Sequence, residues 1–113
     1  MTDEHGAGRR TADDLVRLLT DGDPAGAEEL LAGIPTIRDL VFVGAGLTSI
    51  ARTEARRLPP AQRAQANTRQ LRLGFLRDAN REDPEGLRGW LQRSAEEVLL
   101  IRSQLAVADR FAG

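Results

Sequence analysis

The sequence predicts an all-α chain: a compact bundle of about five helices, in which a short N-terminal helical hairpin packs on three longer antiparallel helices. Three observations predict it. Alanine, leucine, arginine and glutamate dominate the 113 residues, and all four are strong helix formers. From Leu15 onward, apolar residues recur at spacings of three and four, the period of a helix with one buried face. Helix starts are punctuated along the chain at Thr11, Asp23-Pro24, Thr36, Pro59-Pro60 and Asp83-Pro84, where a capping side chain or a proline in the first turn favours initiation.

The elements follow in order. Residues 1–10 are polar and hold Gly6 and Gly8, so they are expected to form a disordered tail, leaving 11–113 as a single domain. Thr11 opens the first helix, with Asp14 three positions on and Leu15, Leu18 and Leu19 as its apolar stripe. It stops near Asp21-Gly22. Asp23 caps a second short helix, and Gly33 ends it. Thr36 caps the third, with Asp39 at its third position. Ile37, Leu40, Gly44, Leu47, Ala51, Ala55 and Leu58 share one face of this helix, and Phe42, Val43 and Ile50 make its middle apolar on other faces too. That pattern marks a buried helix. Pro59-Pro60 ends it, because a residue preceding proline is pushed out of the helical region.

The fourth helix runs from Pro60 to about Asn80, with Ala64, Thr68, Leu71, Phe75 and Ala79 as its expected core face. The fifth runs to about Phe111, with Leu87, Leu91, Val98, Ile101, Leu105 and Ala108 facing inward. Short connections make helices three to five antiparallel neighbours.

Composition narrows the function. Cysteine is absent, which rules out disulfides and thiolate metal sites and is compatible with a reducing cytoplasmic setting. No apolar run reaches the ~18 residues of a membrane span. No apolar stretch follows the N-terminal arginines, so no secretory signal is expected. All sixteen basic residues are arginine, as in proteins from GC-rich bacterial-type genomes. Net charge is −1, but it is unevenly spread. Residues 1–39 carry four arginines against nine acids, whereas 52–81 carry eight arginines against Glu54 and Asp78.

Residues 39–49, DLVFVGAGLTS, match two glycines of the strand–turn–helix fingerprint that cradles a dinucleotide pyrophosphate. The third glycine position is Ser49, no second strand with a terminal acid follows, and no other strand exists to complete a sheet. A buried helix with small residues at a close crossing fits better, and no cofactor is expected.

His5 is the only histidine and falls in the expected tail, so a rigid catalytic or metal-binding histidine is not anticipated. Asp21-Gly22-Asp23 opens like a calcium loop, but Ala32 stands where the bidentate glutamate belongs. Glu28-Glu29 and Glu96-Glu97 are read as solvated helix faces. No catalytic, cofactor or metal residue is therefore expected, and the chain is read as non-enzymatic.

Two patterns suggest contact functions. Leu73 interrupts the arginine face of helix four, and Leu100, Val107 and Phe111 form a second apolar stripe on helix five, about 140° from its core face at 100° per residue. With Trp90 and Phe111 as candidate anchors, these residues point to a regulator, adaptor or assembly subunit acting by protein–protein contact and forming a homodimer through the end of helix five. The alternative is a nucleic-acid-associated subunit in which Arg63, Arg69, Arg72, Arg77 and Arg81 track phosphates.

Overall fold

The structure, a computed structural model that describes residues 3–112, contains five helices: α1 Glu4–Thr20, α2 Pro24–Ala32, α3 Ile37–Ala55, α4 Pro60–Ala79 and α5 Pro84–Ala112. The all-α bundle is as the sequence predicts. Most helix boundaries follow the local signals. The Asp23 carboxylate accepts the Gly26 N–H at 2.9 Å, and the Thr36 hydroxyl accepts the Asp39 N–H at 3.1 Å. Gly22 turns the chain between α1 and α2 at φ 72°, a left-handed conformation that glycine adopts without strain.

One boundary differs. Residues 4–10 belong to α1 and are not a tail; residues 1 and 2 of the expected tail lie outside the described residues. Asp3 caps α1 by accepting the Gly6 N–H at 2.9 Å. Tertiary packing outweighs the weak helix propensity of the glycines. Gly8 is buried against α3, where an added Cβ would lie 2.6 Å from the Phe42 carbonyl oxygen. His5 meets the Phe42 ring edge-on at 4.7 Å between centroids, and Arg38 both covers that ring at 5.4 Å and binds Glu4 at 2.8 Å.

The core lies where α1, α3 and α5 meet. Leu15, Leu40, Leu47, Leu87, Leu91 and Ile101 are fully buried there. α5 is the axis of the molecule. At 1.5 Å per residue its 29 residues span about 43 Å, close to the 45 Å long dimension, and every other helix packs on it. Arg88 of α5 fastens the end of α2 by donating to the Leu31 carbonyl at 3.0 Å, and the connection after it by donating to the Ile34 carbonyl at 3.2 Å. Arg102 fastens the end of α3 through a two-pronged bond to Glu54 at 2.7 and 2.9 Å, and this hydrogen bonding raises the guanidinium pKa above its ordinary value.

The helix reads continuously through residues 39–49, so the two glycines sit at helix crossings and not in a phosphate loop. Gly44 receives the six-membered ring of Trp90 from α5. Gly46 faces α1, and an added Cβ there would lie 3.0 Å from the Ala12 Cβ and 3.1 Å from the Arg9 Cα.

α4 departs most from expectation: its face is reversed. Leu71 and Phe75 are 67% and 72% exposed, and Ala64, Thr68 and Ala79 are exposed with them. The buried side carries Ala66, with Leu73 and Leu76 packed against the core. At its centre Arg69 donates to Glu97 of α5 at 2.6 Å. Glu97 is therefore buried and paired, not part of a solvated acidic face. α4 leans mainly on α5 and touches α3 sparingly.

Candidate functional site

Three concave regions mark the surface. The first, of about 480 Å³, lies between α1, the α2–α3 connection and α3, with Glu4, Glu29 and Asp39 among its walls. Two of these acids already have partners. Glu4 pairs with Arg38, and Asp39 accepts the Thr36 hydroxyl proton at 2.9 Å. The second, of about 490 Å³, lies along the α4–α5 seam over the Arg69–Glu97 pair, with Arg72, Phe75 and Arg93 at its edges.

The third is a trough between α3 and α4. It consists of connected clefts of about 410, 270 and 280 Å³ that share Arg52. Its existence follows from the tilt of α4 toward α5, which leaves the outer face of α3 uncovered. Val41, Ala45 and Thr48 form the α3 wall, Leu71, Gly74 and Phe75 the α4 wall, and Trp90 lies at the bottom. Arg52, Arg56, Arg63 and Arg77 rim it, with Asp78 as the one acid. Asp78 holds Arg77 at 3.1 Å. Among the described residues, no carboxylate lies within salt-bridge distance of Arg52, Arg56 or Arg63.

The residues singled out from sequence fall into different places. Leu100, Val107 and Phe111 are 41%, 48% and 87% exposed, on one side of α5. Trp90 is 3% exposed and Leu73 packs against the core. Both are held by their own chain, and Trp90 gives a partner no protruding anchor. Its room comes from Gly44, which removes the side chain that would otherwise occupy the space.

The five candidate phosphate-binding arginines do not make one face. Arg63 and Arg77 line the trough, Arg69 and Arg72 border the α4–α5 cleft, and Arg81 lies in the turn after α4. Arg69 is also committed to Glu97. Pattern reading missed Val41, Leu71 and Phe75 as surface residues. Their signal was present as apolar side chains at helical spacing, but spacing does not say whether such a face turns inward or outward.

No described helix is long and apolar enough to cross a membrane. Among the described residues no group of three or more histidines or acids is placed to hold a metal ion. Comparison with protein-family models, with curated proteins and with solved structures returns no match for this chain.

Proposed function

We propose that this chain is a non-enzymatic helical interaction module that forms a homodimer through the C-terminal half of α5. The supporting observation is the exposure of Leu100, Val107 and Phe111 on one side of a helix whose other side buries Val98, Ile101 and Leu105. Large apolar side chains grouped on a surface mark contact sites. A second copy suits this one because its local charges are mixed. Exposed Glu96 and Arg93 lie one and two turns before Leu100 on the same side of the helix, so an antiparallel copy can set opposite charges across a two-fold interface in which the same patch serves both partners.

Sedimentation equilibrium tests the reading. The unmodified chain is expected to sediment as a dimer, and Leu100→Glu with Val107→Glu as a folded monomer. A monomeric parent removes the proposal.

A further inference from the structure

We propose that the trough between α3 and α4 receives one amphipathic α-helix of a different protein, about four turns long, apolar on the entering face and acidic along its flanks. This goes beyond self-association and rests on other residues.

Length and shape indicate a helix. The trough runs from Val41 on α3 to Arg56 just past its end, and from Arg63 to Asp78 on α4, about 22 Å on either wall at 1.5 Å per residue. That is about four helical turns. A helix laid in a groove inserts side chains at i, i+3, i+4 and i+7 between two walls. Here those walls offer Val41 and Ala45 on one side and Leu71 and Phe75 on the other. The described residues contain no strand edge to which an extended peptide could add.

Gly74 adds an independent observation. It sits inside α4, where glycine costs about 1 kcal/mol relative to alanine, yet nothing lies within 4 Å of where its Cβ would be. The folded chain gives no packing reason for it. It lines the trough, and a missing side chain there lets a visiting backbone approach closely.

Charge selects the partner. Four arginines rim the trough and only Asp78 opposes them, while Arg52, Arg56 and Arg63 have no acid of their own among the described residues. A second copy docking trough to trough would set arginine against arginine, which is unfavourable. A polyphosphate would satisfy the arginines but leave Val41, Leu71 and Phe75 in water. Glutamates flanking an apolar stripe satisfy both the arginines and the apolar walls.

The test uses the full chain and a fluorescein-labelled helical peptide of about four turns, leucine on one face and glutamate on its flanks, followed by anisotropy. A peptide with lysine for glutamate is the control, and a single-stranded oligonucleotide is the second probe. The glutamate peptide is expected to bind saturably, at least about tenfold tighter than the lysine peptide (~1.4 kcal/mol).

Gly74→Leu should weaken binding about tenfold or more by filling the trough. Gly89→Ala, at an open glycine outside the trough, should leave binding unchanged. Should Gly74→Leu fail to fold, Arg52→Glu with Arg56→Glu, both exposed, must produce the same loss. Equal binding of both peptides, indifference to these changes, or preferential capture of the oligonucleotide would overturn the proposal. Binding by the Leu100→Glu, Val107→Glu chain, and the unchanged mass of Gly74→Leu, separate this result from the fate of the dimer.

Discussion

Arg69 Nε and Glu97 Oε1 meet at 2.6 Å between α4 and α5, with the glutamate side chain only 5% exposed. One further atom on each side, Arg69 Nη2 and Glu97 Oε2, is buried without a hydrogen-bond partner. A buried ion pair of this kind is weak evidence for stability, because desolvation offsets much of the attraction, and its best-attested use is to fix register. It selects the face on which α4 lies. The apolar alternative, Leu71 with Phe75, could not have satisfied Glu97.

Removing one partner strands the other. Arg69→Met is expected to destabilise the chain by about 3 kcal/mol, read from urea denaturation. Arg69→Met combined with Glu97→Leu should recover most of that loss. Strictly additive losses in this cycle would show that the pair does not seat α4.

Gly44→Ala pushes a methyl group into the Trp90 ring. Overpacking of this sort costs about 1–3 kcal/mol. Because Trp90 is the only tryptophan, its emission should shift in the folded state as the midpoint of unfolding falls. An unchanged spectrum with unchanged stability would mean that the ring is not pressed on Gly44.

Arg88→Ala removes the bonds to the Leu31 and Ile34 carbonyls and the bond to Glu85 at 2.7 Å. A hydrogen bond to a charged group contributes about 1.5–3 kcal/mol. The expected total loss is about 2 kcal/mol, with faster amide exchange confined to α2. Exchange that rises uniformly over all helices would contradict a local clamp.

Gly89→Ala and Gly74→Ala place a methyl group in open space within helices. Each should stabilise the free chain by about 0.5–1 kcal/mol, seen as a higher melting temperature. A decrease at either position would reveal a constraint that the helix geometry does not contain.

Much of the fold was legible because it is local. Asp23-Pro24, Thr36 with Asp39, and Pro59-Pro60 act within one turn of themselves, and the helices begin and end beside them. What was not legible depends on distant partners. His5 and Gly8 look like tail residues until Phe42 of α3 is set against them. Glu97 looks solvated until Arg69 reaches it. Helix four carries two apolar faces of similar strength, Leu71 with Phe75 and Leu73 with Leu76, and the choice between them is made on α5. The trough inherits this difficulty, since it exists only because α4 turned one way.

The architecture also orders events during synthesis. α5 is the shared support for all four preceding helices, and it is the last of the five to be made. Until it leaves the ribosome, Leu15, Leu40 and Leu47 have no complete surface on which to close. α1 and α3 can meet before it, but the native core is completed only when α5 packs on both. A stop codon before Leu105 is therefore expected to expose core residues of α1 and α3 as well as to remove the end of α5.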